Sequence, residues 1–316
     1  MPSVSRSRRA LVAVCAALLL APAALAEKGV DDSTGFSGPV RASGGPDMFG
    51  YLFFDQDEAE CNFDFVDISG TGTALTYTAS GMFSADDDGG AEVTLAAPID
   101  FYGTAVTNVV VSTNGYVAMG ATLATDSGGD FSNDCPIPAV PDNPPAFPGR
   151  LMPYHDDLAA DGTGGTTFVQ YFADCPRAGE AGSEDCTIIH WQDWGFFGEV
   201  DTFDLQAVLY HQSNLIVYQV DDPSGIATGV STAIGIQDQT ATDGLEYLCD
   251  NDGGIGAAAA VCYYNPSCIG LGCLGGDIPD SVYDPAIPTQ SPVGLLLLVL
   301  GLVGAGAWVM ARRRSA

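Results

Sequence analysis

The sequence predicts an all-β fold: an antiparallel, jelly-roll-like β-sandwich ectodomain between a cleaved signal peptide and a C-terminal transmembrane helix. Three observations lead there. Between the two ends, short apolar or alternating runs are separated by Gly, Asn, Asp and Pro turns, and no amphipathic helical period is present. Residues 1–26 have the basic, apolar and small-residue order of a secretory signal. Residues 293–311 carry no charge and run directly into Arg312-Arg313-Arg314.

The elements follow in chain order. Arg6, Arg8 and Arg9 precede the apolar run Leu11–Leu20, which is too short to span a bilayer, and Ala24-Leu25-Ala26 offers a cleavage site before Glu27. Residues 27–45 read as a flexible leader and 46–248 as one sandwich. Strands are expected at 63–68, 73–78 and 91–96. Val109–Thr113 and Tyr116–Met119 form a hairpin around Asn114-Gly115, a pair that accepts the positive φ angles of a type I′ turn. Residues 121–150, rich in Gly, Asp and Pro, make a long loop. Strands at 167–172 and 187–191 flank a loop holding Cys175 and Cys186. Phe203, Leu205, Ala207 and Leu209 alternate onto one face, and a turn at Gln212–Asn214 returns the chain as 215–220. A further strand lies at 230–237. Residues 249–286 read as a Cys- and Gly-rich stalk. In the tail 287–316, Val293–Ala311 would reach about 28 Å as a helix, the thickness of a hydrocarbon core, and the arginines behind it place the C-terminus in the cytoplasm.

Charge and cysteine content narrow the function. The chain holds 40 acidic and 10 basic residues, a formal net charge of −30. All the acids lie in 27–285, with only Lys28, Arg41, Arg150 and Arg177 against them. Such a polyanion excludes nucleic acid and anionic membrane surfaces as electrostatic partners. Loss of Cys15 with the signal leaves eight cysteines, an even number suited to an oxidising compartment. Cys175 with Cys186 is the best pair, because it ties the base of a hairpin. Cys249 with Cys262 and Cys268 with Cys273 are weaker pairings.

Two stretches resemble known families. Phe101-Tyr102-Gly103, the VVVSTNG run 109–115, Leu151–Leu158, the strand around Trp191, and Ile234–Gln237 before Asp243-Gly244 stand in the order of the nidogen-like (NIDO-type) extracellular domain. The resemblance covers roughly 98–248, with Tyr154-His155 where Phe-Trp is usual. It implies an all-β, non-enzymatic surface or matrix module, often adhesive. Downstream, Ile287, Pro288, Thr289, Ser291 and Gly294, then the apolar run, then Arg312, Arg313 and Arg314, resemble the IPTL-CTERM sorting tail, a relative of PEP-CTERM. Gln290 and Pro292-Val293 depart from its Leu and Glu-Trp. This second resemblance implies export from a Gram-negative-type bacterium, insertion in the inner membrane before any processing, and an exosortase-type transpeptidase as partner beside the export machinery.

Candidate sites are few. Asp156, Asp157 and Asp161 crowd a Gly-rich turn, the oxygen-only chemistry that calcium takes. Asp86-Asp87-Asp88 and Asp250-Asn251-Asp252-Gly253 are similar acid runs, and neither completes a calcium-loop motif. Trp194, Phe196 and Phe197 offer aromatic faces of the kind that stack on sugars. His155, His190 and His211 stand in no metal-binding or nucleophile motif, and no G-x-S-x-G occurs. The expectation is therefore a non-enzymatic surface or matrix protein, adhesive or structural; a glycan-binding or carbohydrate-active protein using the aromatic cluster and acidic loops is the alternative.

Overall fold

The computed structural model describes residues 43–58, 61–133, 135–141, 145–160, 162–177, 184–227, 231–250 and 255–264. The expected signal, the expected leader up to residue 42, the expected sorting motif and the apolar run 293–311 lie outside them, and among the described residues no helix is long and apolar enough to cross a membrane.

The described residues form sixteen strands. The first seven are β1 Ser43–Gly44, β2 Leu52–Asp55, β3 Thr73–Ala74, β4 Thr78–Ala79, β5 Gly89–Phe101, β6 Thr104–Ser112 and β7 Val117–Met119. β8 Arg150–His155, β9 Leu158–Ala159, β10 Thr166–Phe172, β11 Cys186–Phe196 and β12 Phe203–Tyr210 follow, then β13 Ile216–Asp221, β14 Ala233–Gln237, β15 Gly244–Cys249 and β16 Ala258–Tyr264. All pairings are antiparallel. One sheet has the order β1-β2-β16-β13-β12-β11-β10-β3, with β9 also paired to β11; the other has the order β15-β14-β8-β7-β6-β5-β4. β5 to β8 and β10 to β13 are sequential neighbours, joined by tight turns except at the long loop before β8 and the Cys175–Cys186 loop before β11. These runs are meanders, whereas β16 between β2 and β13, and β14 beside β8, are reached by crossovers.

The main core lies between the sheets. Val93, Val109, Val111, Met119 and Leu151 from one sheet meet Trp191, Leu205, Ala207, Leu209 and Val261 from the other. The alternation 203-205-207-209 buries the face it predicts.

Several expectations are corrected. Residues 63–68 are not a strand; they run as a strap over the outer face of the larger sheet. Its backbone bonds to side chains instead of a ladder: Gln219 Oε1 accepts from Asp64 N at 2.7 Å, and Gln206 Nε2 donates to Val66 O at 2.7 Å. Residues 73–78 split into β3 and β4, one in each sheet. Asn114 does not take positive φ, so the β6–β7 connection is not a type I′ turn. Gly115 alone does (φ 68°), and a Cβ there would stand 2.0 Å from Tyr154 O. Asn114 is held by its side chain, which donates to Asp88 Oδ1 at 2.9 Å.

The domain also extends past 248. β16 sits between β2 and β13, with Cys262 opposite Phe54 and Val217, so part of the expected stalk is a central strand. The pairing of Cys249 with Cys262 fails for that reason: Cys249 ends β15 in the opposite sheet. Cys262 bonds Cys61, Cys249 bonds Cys135, and Cys175 bonds Cys186. Cys268 and Cys273 lie outside the described residues. The first bridge pins the strap and the second pins the loop 121–149 over the smaller sheet, so each covers a satellite cluster on an outer face.

Candidate metal centre

Three turns and the exit of β11 meet around one acidic cluster. The turn before β5 supplies Asp87 and Asp88, and the step from β8 to β9 supplies Asp157. One carboxylate oxygen from each lies within 4.8 Å of the others, with Asp87 and Asp88 buried and Asp157 half-buried. Asn114 in the β6–β7 loop is the hinge of this arrangement. Its amide donates to Asp88, and its Oδ1 accepts from Leu158 N at 3.0 Å. Ala160 N donates to Asp86 O at 2.8 Å, and Phe197 N donates to Asp157 O at 2.9 Å. Each carboxylate therefore sits on backbone that is tied to the next turn.

An oxygen-only set of three acids suits a hard cation, which takes six to eight oxygens and fills the remainder with carbonyls or water. It offers no nitrogen or sulfur to a softer metal.

The acids singled out in the sequence are only partly brought together. Asp157 belongs to the cluster, whereas Asp161 lies outside the described residues. Asp156 turns to Ser231, whose Oγ donates to it at 2.9 Å, and also accepts from Asp157 N at 2.8 Å. Burial pushes its carboxyl up to about 7 from an ordinary 3.8, against those hydrogen bonds and with added repulsion from Asp157 and Asp250. The sign follows from linkage. The folded carboxyl takes its proton near pH 7 and the unfolded one near 3.8. Stability therefore rises on acidification toward pH 4 and is lost as pH climbs through 7. Asp156→Asn is expected to flatten the stability slope between pH 4 and 7 in urea unfolding; an unchanged slope would assign it to other groups.

Asp87 and Asp88 were weighed in the sequence within the run Asp86-Asp87-Asp88, a weaker calcium candidate than Asp156, Asp157 and Asp161. Among 40 acids, nothing local distinguishes two that meet a third some seventy positions on.

The aromatic trio is not one surface. Trp194 is 1% exposed and packs edge-on against Tyr77, with centroids 5.9 Å apart, so it presents no face to a sugar. Phe196 is half-buried against Tyr154 and Phe203. Phe197 alone is open, at 45%. The three histidines are buried. So are Arg150 and Arg177, the only Lys or Arg side chains among the described residues, which leaves that surface without an exposed cation.

A family model described as NIDO related matches residues 61–253 of the chain. No curated protein and no solved structure gives a significant match.

Proposed function

The chain belongs to the NIDO-related family, and from that premise we propose that it is an exported, non-enzymatic module of the cell surface or matrix, adhesive or structural in role. The nidogen-like domain and its three disulfides fit an extracellular protein. The family match on a disulfide-pinned, all-β body carries the reading. The tail, with its sorting motif and arginines, would hold the chain in the inner membrane until a transpeptidase acts on it. Intact cells expressing the full chain should bind an antibody raised against the sandwich and lose that label to external protease. Deleting the gene should weaken attachment of cells to one another or to a surface. A protease-protected antigen, or attachment unaffected by the deletion, would sink the proposal.

Calcium is the ion proposed for Asp87, Asp88 and Asp157, and it would relieve their mutual repulsion and cross-link the turn before β5 to the step from β8 to β9. A site filled at a hundredfold excess over Kd stabilises by about 2.7 kcal/mol, a midpoint shift of roughly 5–10 °C for a domain of this size. Thermal unfolding in EDTA and then in calcium at fixed ionic strength should show it, and Asp157→Asn should abolish most of it. An equal response to added sodium would mean general screening.

A further inference from the structure

The sandwich is not closed along one side. β4 pairs with β5 only at Gly89 and Gly90, and β3 pairs with β10 only at Phe168 and Val169. Beyond those contacts, no described strand covers β5 on its outer edge or β10 from Gln170 onward. Between the two open edges lies a groove of about 240 Å³.

Its chemistry differs from the rest of the surface. Val93 and Leu95 of β5, both buried, and Val169 of β10 give it an aliphatic base. Its rim is hydroxyl and amide, with exposed Thr73 and Thr94 and half-buried Gln170; the Thr94 hydroxyl donates to Asn108 Oδ1 at 2.9 Å. No Asp, Glu, Lys or Arg lines it, whereas the surrounding surface is acidic and lacks an exposed cation. Tyr171 stands at the groove, 42% exposed. It is directly opposite Thr187 in the ladder, and its hydroxyl hydrogen-bonds Asp185 Oδ2 at 3.1 Å. The ring is therefore set in place before any ligand arrives. Thr71 Oγ1 donates to Gln170 Oε1 at 2.8 Å, which orients that amide with its NH₂ turned away from the bond.

We propose that this groove binds a neutral sugar unit. A pyranose ring has an apolar face of C–H bonds and a rim of hydroxyls, which matches an aliphatic and aromatic base bordered by hydroxyl and amide groups. An anionic ligand would be repelled by the surrounding charge. A cationic one would find no carboxylate in the lining and many outside it. The site is separate from the trio Trp194, Phe196 and Phe197, and it does not depend on the acidic cluster or on bound calcium.

The test uses the oxidised full chain in a detergent without a sugar headgroup. Titration calorimetry with maltotriose, cellotriose and triacetylchitotriose is compared with a neutral Thr/Val heptapeptide able to add as a strand. At least one trisaccharide should saturate at one site, and the affinity should fall at least tenfold in Tyr171→Ala and in Gln170→Ala. Thr94→Arg, which fills the groove, should abolish binding. These side chains are exposed or half-buried, so unfolding midpoints should stay near that of the parent. Should Tyr171→Ala unfold, the other two variants decide. The proposal is overturned if no trisaccharide saturates, if folded variants bind as the parent does, or if only the peptide binds, which would make the groove a strand-addition site.

Discussion

Replacing Cys61 and Cys262 together by alanine is expected to lower stability by about 5 kcal/mol, the cost of releasing a closed loop of this length. The bridge spans 201 positions, against 114 for Cys135–Cys249 and 11 for Cys175–Cys186. Loop-closure entropy grows with the logarithm of length, so the shortest bridge should cost only about 3 kcal/mol. The position of the long bridge adds to this. It joins the strap to a central strand over the cluster of Phe54, Ile188, Val208 and Val217. Without it, the strap is held by Gln206, by Gln219 and by the bond from Arg177 to Asn62 O. Urea midpoints of the three double-alanine variants should fall in the order of loop length, and limited proteolysis of the first should cut within 61–72 before the sandwich unfolds. A loss below about 1 kcal/mol for the long bridge, or the reverse order, would mean that the strap is held by its packing alone.

What the sequence disclosed and what it hid divide along the range of the interaction. β6–β7 and β12–β13 were readable because alternation and turn residues act within ten positions. Cys175 and Cys186 were readable because a hairpin brings its own two ends together. The other two bridges join segments 201 and 114 positions apart that only tertiary pairing brings together, and no local feature marks them. β16 was missed because Ala258-Ala259-Ala260 has low strand propensity; its place between β2 and β13 comes from tertiary pairing. The strap 63–68 imitated a strand because it is extended and packs apolar side chains downward. Its hydrogen bonds, however, go to two glutamines about 140 and 155 positions away. Trp194 was read with Phe196 and Phe197 as an aromatic face open to a sugar. A register shift between Trp191 and Trp194 turns it into the core instead, and such bulges leave little trace in composition. The acidic cluster was half legible: Asp157 was named among the candidate ligands, while the residues it meets, Asp87 and Asp88, depended on how the turns come together.

Arg150→Met is expected to cost 3–5 kcal/mol at pH 8, the usual penalty for breaking a buried ion pair from one side. Arg150 is 1% exposed in a chain of net charge −30, at the start of β8 beneath the loop 121–149. Its Nη1 donates to Asp130 Oδ2 at 2.7 Å, its Nε donates to Phe147 O at 3.0 Å, and Asp126 Oδ2 lies 3.6 Å from Nη2. The guanidinium stacks 4.1 Å above the Tyr116 ring, whose hydroxyl donates to Asp126 Oδ1 at 2.9 Å. Removing the cation therefore strands two carboxylates that hold the long loop. Burial already raises the Asp126 carboxyl, and Arg150 is the chief influence opposing that rise. In the variant the folded carboxyl keeps its proton to higher pH, while the unfolded one still titrates near the ordinary 3.8. Falling pH then protonates the folded state first, which restores stability. The deficit should be largest at pH 8 and smaller at pH 5, and adding Asp126→Asn and Asp130→Asn should recover part of it at pH 8. A deficit below 1 kcal/mol, or one equal at both pH values, would mean that the loop is anchored by Cys135–Cys249 and apolar packing, with the buried cation a passenger.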